Sequence, residues 1–124
     1  MNDLSKVNKL TLIGMGLINS SLARALQVNN FAREVIGTSR SSSTRNRVRE
    51  LKIVDEVVDD YKLAVNDADL IIVGIPVSSY FNVFKEIGPH LKKGSIVTDV
   101  GSVKKSTIKD VMSVIPNNVS FIPG

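Results

Sequence analysis

The chain has 124 residues, a formal net charge of +4 and no cysteine. That length carries one core rather than two, the modest charge fits simple solubility, and the missing cysteines exclude a disulfide framework and thiolate chemistry. No apolar run approaches a membrane span and the opening MNDLSKVNKL lacks the apolar core of a signal peptide, so a cytoplasmic protein without a membrane partner is expected.

Leu10 to Ile13 is a short apolar run with a β-branched component, and it ends at Gly14. From Leu17 to Val28 apolar residues recur at Leu17, Ile18, Leu22, Ala25 and Leu26, which is helical spacing. Glu34 to Gly37 reads as a second strand, and Ser43 is the expected N-cap of a helix reaching about Lys52. Val57-Val58 reads as a short third strand and Lys62 to Asn66 as a brief helix.

Leu70 to Ile75 is the most apolar run, and its lack of alternation suits a strand buried on both faces. Pro76 stops it. Ser79 to Leu91 reads as a helix with Tyr80, Phe81, Phe84, Ile87 and Leu91 on one side. Ser95 to Thr98 is the next strand, Lys104 to Ile115 the next helix, and Val119 to Ile122 the last strand. Alternation with short connections predicts a single α/β domain, a doubly wound parallel sheet covered on both faces. Ligands of such sheets bind beyond the carboxyl ends of the strands. The loops GMGL, GTSRS, GIPVSS and DVGSVK all stand at such ends.

Gly14-Met15-Gly16-Leu17-Ile18-Asn19 is the dinucleotide fingerprint with its third glycine replaced. Gly14 makes the tight turn, Gly16 lets a pyrophosphate approach the backbone, and the helix opening at Leu17-Ile18 offers N–H groups and partial positive charge. A plain tight turn is the alternative. Asn19, at the position that serves close helix–strand packing, is expected to loosen that contact.

After the second strand, an NAD site places Asp or Glu about 20 residues beyond the glycines. The place is held instead by Ser39-Arg40-Ser41, which favours NADP over NAD: the serines can donate to a phosphate and Arg40 can clamp or stack on one. Arg45 and Arg49 repel each other at i,i+4, and a 2′-phosphate would relieve them; a solvated basic face is the alternative. No aromatic residue interleaves with this basic segment, so nucleic acid is not expected. Gly74-Ile75-Pro76 turns the chain after the most apolar strand and leaves a flat apolar surface for a nicotinamide ribose. No acidic or His cluster has metal-ligand spacing, and no metal is expected. His90, beside Pro89 at a helix end, suits the helix dipole and is given no catalytic role.

The segments GMGLINSSLARAL, ADLIIVGIPV, LKKGSIVTDVGSVK and FIPG resemble the N-terminal half of the prephenate/arogenate (cyclohexadienyl) dehydrogenase family, enzymes of tyrosine biosynthesis. The first two are shared by many dehydrogenases of small acids; TDVGSVK after LKKG is more particular. The resemblance runs from Leu10 to Gly124. It implies a Rossmann-type nucleotide-binding domain and an oxidative decarboxylation of prephenate or arogenate. A hydride leaves the ring carbon bearing the 4-hydroxyl for NAD(P)+, carbon dioxide is lost, and the ring becomes aromatic. It also implies that Ser102, matching the serine of the family's VGS motif, lies near the 4-hydroxyl and helps order the catalytic histidine. The nicotinamide would lie beside Gly101, with Asp99 and the following helix N-terminus shaping the turn. Without the resemblance, Ser102 reads as an N-cap.

Three departures from the family pattern carry expectations of their own. Asn19-Ser20 stands where two glycines are usual. Ser39-Arg40-Ser41 is similar to NADP-preferring members, plant arogenate dehydrogenases among them. The family continues FIPG with a His-Pro segment and a C-terminal helical domain through which it dimerises. Residues 1–124 are therefore expected to be a dinucleotide-binding domain that binds cofactor without turning over substrate alone. Two other readings compete: an inactive nucleotide-binding module (a remnant or a sensor), and another small-acid dehydrogenase of the same superfamily, against which VGSVK argues.

Overall fold

Strand β1 (Val7–Ile13) forms the middle of the sheet, and its last four side chains, Leu10 to Ile13, are all buried. The computed structural model describes residues 7–100 and 105–123. Beyond β1 the described elements are α1 (Leu17–Val28), β2 (Ala32–Thr38), α2 (Ser42–Leu51), β3 (Glu56–Val58), α3 (Tyr61–Val65) and β4 (Leu70–Val73). They continue with α4 (Tyr80–Ile87), β5 (Ile96–Asp99), α5 (Lys105–Met112) and β6 (Ser120–Ile122). All neighbours pair in parallel in the order β3-β2-β1-β4-β5-β6, the Rossmann-like doubly wound arrangement. No described helix is long and apolar enough to cross a membrane.

Period-two alternation divides the core between the two sheet faces. Leu10, Leu12 and Ile72 join Ala23, Val35, Val48 and Ile53 in one cluster, against α1 and α2. Ile13, Ile71, Val73 and Val97 join Tyr80, Phe84, Ile87 and Val111 in the other, against α3, α4 and α5. Each fully buried aliphatic or aromatic side chain contributes roughly 1.5–3 kcal/mol. Phe84 also meets Tyr80 and Phe121 edge-on, at centroid distances of 5.8 and 5.5 Å. Thr11, the polar member of the central strand, donates to the Ala64 carbonyl at 2.6 Å and so is buried without an unmet hydroxyl.

The long helix predicted from Ser79 to Leu91 is divided. A 3-10 turn at Val77–Ser79 leads into α4, and a second at Gly88–His90 follows it. Pro89 has no N–H with which to continue the α-helical ladder. The buried face of α4 is Tyr80, Val83, Phe84 and Ile87, an i, i+3, i+4, i+7 stripe. Phe81, expected on that face, is 42% exposed. His90 is exposed before the start of β5, at the amino end of the sheet.

Candidate functional site

The strand order reverses between β1 and β4, and their carboxyl ends define a crevice. Gly14, directly after β1, has φ +86, a left-handed value that favours glycine. A Cβ there would stand 2.7 Å from the Ile75 Cγ2 and 2.8 Å from the Gly74 carbonyl oxygen, so the two loops touch. The Gly74 N–H donates to the Ile13 carbonyl at 2.8 Å, extending the β1–β4 pairing by one bond. Ile75 packs half-buried on the α4 side of the core, and Pro76 is exposed, its carbonyl accepting from the Ser79 N–H.

Gly16 is the N-cap of α1, and no side chain caps this helix. Among the described residues, and apart from its chain neighbours and the backbone of its own helix, nothing lies within 4 Å of where a Gly16 Cβ would stand. No acidic residue occupies the first turn, where Leu17 begins the helix and Ile18 is exposed. An open cradle, an uncapped helix end and an absence of negative charge suit a pyrophosphate.

Asn19 corrects the expectation of loose packing. Its side chain is buried, and Nδ2 donates to the Gly14 carbonyl at 2.7 Å and the Ile13 carbonyl at 3.2 Å. A Cβ on Gly74 would stand 2.6 Å from that nitrogen. The helix is thus tied to β1 through an amide where a glycine would let it approach by bare contact, and Gly74 supplies the space.

At the end of β2 the buried Thr38 hydroxyl accepts from the Gly14 N–H at 2.9 Å and donates to the Leu12 carbonyl at 3.2 Å. Sequence reading placed Thr38 at this strand end but gave it no role, although a threonine closing a strand beside a glycine loop is the available signal. The Ser39 N–H donates to the Val58 carbonyl, and its Oγ accepts from the Ser41 N–H at 3.1 Å. Ser41, not Ser43, is the N-cap of α2: its Oγ accepts from the Thr44 N–H at 3.3 Å and lies 3.0 Å from the Ser43 Oγ.

Arg40 makes its contacts with residues of other elements. Its Nη2 donates to both carboxylate oxygens of Glu86 on α4, at 2.9 and 3.1 Å. Its guanidinium carbon lies 4.4 Å from the centre of the Tyr61 ring. Arg45 donates to the Ser39 carbonyl at 2.8 Å, whereas Arg49 donates to Asn46 and, at 3.4 Å, to the Val57 carbonyl. The two arginines that would repel on one helix face each hold a separate acceptor.

At the end of β5, Asp99 is buried and accepts from the Tyr80 hydroxyl at 3.1 Å. Burial first, then the Asp99 charge, pushes the Tyr80 phenol well above its ordinary range, so it remains a donor. Neither Tyr80 nor Glu86 carried a local signal, because each partner lies on another element. Gly101 and Ser102 lie outside the described residues.

Residues 22–124 match the family described as prephenate dehydrogenase, nucleotide-binding domain. The chain is 39% identical over 110 residues to a cyclohexadienyl dehydrogenase of Zymomonas mobilis, covering 89% of this chain and 38% of that protein. It is similar to the crystal structure of Synechocystis arogenate dehydrogenase, with 33% identity and a TM-score of 0.77 over 86% of this chain and 37% of that one. The A. aeolicus prephenate dehydrogenase, solved with hydroxyphenyl propionate and NAD+, has the same fold: TM-score 0.82 at 21% identity, over 95% of this chain and 41% of that one. The chain therefore spans well under half the length of these relatives. With the crevice, the glycine loop and the sheet order in agreement, the chain belongs to the prephenate dehydrogenase family, within its nucleotide-binding domain.

Proposed function

We propose that this chain is the cofactor-binding part of an NAD(P)-dependent dehydrogenase that oxidatively decarboxylates prephenate or arogenate. The observation that carries the reading is the open cradle at Gly16, on an uncapped helix end, at the point where the strand order reverses. In it Gly14, Gly16, Leu17 and Ile18 hold the pyrophosphate by backbone, and Gly74, Ile75 and Pro76 form the apolar wall of the nicotinamide half. Asp99 fixes the β5 turn through Tyr80, Gly101 borders the nicotinamide, and Ser102 lies beside the 4-hydroxyl of the substrate. The chemistry supplied by a bound nicotinamide is hydride acceptance. The family resemblance implies a histidine as the base for the 4-hydroxyl proton, and His90, at the opposite end of the sheet, does not fill that role.

NADP is favoured over NAD, on the strength of Ser39, Arg40 and Ser41 where an acid would read the ribose. An Arg–phosphate contact is worth roughly 1.5–3 kcal/mol, tenfold or more in affinity, before any competing contact is subtracted. Calorimetric titration of NADPH and NADH into the chain and into Gly16→Val tests the reading. Binding by the wild type, tighter for NADPH, and its loss in a folded Gly16→Val protein are expected. Undiminished binding by Gly16→Val would place the ligand elsewhere, and equal affinities would remove the NADP preference.

A further inference from the structure

The Arg40 guanidinium has two side-chain partners. The Tyr61 ring lies under it, and both oxygens of Glu86 engage a single nitrogen, Nη2. Among the described residues, Nη1 and Nε have no protein acceptor in the bonds Arg40 makes, and its side chain is 60% exposed. One of the three guanidinium nitrogens is therefore committed and two are left for another acceptor. The cation is also matched by one carboxylate, so the cluster offers little net charge to a doubly charged 2′-phosphate. Glu86 is 34% exposed and sits near the end of α4, whose buried face anchors it in the core. Its position is set by packing and not by the pair alone.

We propose that Glu86 is a specificity-determining residue, which lowers the preference for NADP over NAD by neutralising Arg40 beside the 2′-position of the adenine ribose. The inference rests on the nucleotide-binding reading above and adds a residue that reading does not use. Glu86 competes for the guanidinium and repels the phosphate, and both effects vanish for a ribose bearing only a hydroxyl. NAD therefore feels Glu86 weakly and NADP feels it fully.

The experiment is calorimetric titration of NADPH and NADH into four proteins: wild type, Glu86→Gln, Arg40→Ala and the double variant. Glu86→Gln removes charge and little volume at a half-exposed site, and unchanged NADH affinity serves as its folding control. NADPH affinity is expected to rise about three- to tenfold in Glu86→Gln, the scale of one exposed ion pair plus one relieved repulsion. The gain should disappear when Arg40 is alanine, because no cation remains to be released. An unchanged NADPH-to-NADH ratio in Glu86→Gln, or an equal gain in the Arg40→Ala background, would overturn the proposal. Failure of the wild type to bind either nucleotide would overturn the nucleotide-binding reading itself, and this inference with it.

Discussion

Asn19 shows how a single side chain can replace the function of a missing glycine. Its amide reaches the Gly14 and Ile13 carbonyls from the first turn of α1, and so sets the distance between that helix and β1. Its Oδ1 is buried and has no hydrogen-bond partner among the described residues, which offsets part of the gain. In Asn19→Ala the Ile13 carbonyl would keep the Gly74 N–H, whereas the Gly14 carbonyl would lose the Asn19 donor. A net loss of about 1–2 kcal/mol follows from two bonds broken, one of them long and to a carbonyl that keeps another donor, and one unmet oxygen removed. Urea unfolding of Asn19→Ala against wild type measures it, and an unshifted midpoint would mean that the amide does not tie the helix. The expectation of loose packing failed here because it considered only the size of the residue. The backbone acceptors that make Asn useful come from the turn of the glycine loop, which residue size does not report.

Among the elements, α2 is the one whose start was misplaced by reading along the chain. Ser41, Ser42, Ser43 and Thr44 all carry hydroxyls, and composition does not choose among them. The choice is made where the chain leaves β2: Ser41 is extended, with φ −88 and ψ 121, and its Oγ accepts from Thr44 N–H. Ser41→Ala should cost about 1 kcal/mol of stability and Ser43→Ala clearly less, since Ser43 only supports the cap through its hydroxyl. Thermal unfolding of the two variants decides; a larger loss for Ser43→Ala would restore the original cap. The same contrast runs through the whole chain. Strand and helix order, the buried β4 and the first three carboxyl-end loops were legible because each rests on local periodicity or on Gly and Pro. The partnership of Arg40 with Glu86 was not, because their sequence separation is 46 residues and the periodicity of neither element encodes it. Phe81 was assigned to the core of α4 for its apolarity alone, and the helical stripe gave that place to Val83.

The whole molecule assigns different work to the two ends of its sheet. The carboxyl ends carry the glycine loop, Arg40 and Asp99, while the amino ends are joined through Asp69. That residue donates its N–H to the Lys9 carbonyl on β1, accepts from the Lys9 N–H at 3.1 Å, and offers its carbonyl to the Ile96 N–H of β5. Its carboxylate also pairs with the Lys92 ammonium. The Lys92 hydrogen bond, then that of the Lys9 N–H, holds the Asp69 carboxyl below its ordinary 3.8, and Asp69 holds the Lys92 ammonium above its ordinary 10.5. The signs follow from linkage. A carboxylate with a lowered folded value stabilises the fold above its unfolded value, and the benefit is lost as pH falls through the folded one. An ammonium with a raised folded value stabilises below its unfolded value, and that benefit is lost as pH rises through the folded one. The staple is therefore intact across neutral pH and weakens at both extremes. Asp69→Asn keeps an oxygen for the Lys9 N–H but removes the charge. Its Tm should lie below that of wild type at neutral pH, and the two should converge as pH falls past 3.8 and through the lowered folded value. The side chains are 30% and 37% exposed, so the gap should be small and should narrow in high salt. Parallel Tm curves over the acid range would show that the Asp69 charge contributes nothing to holding β1, β4 and β5 together.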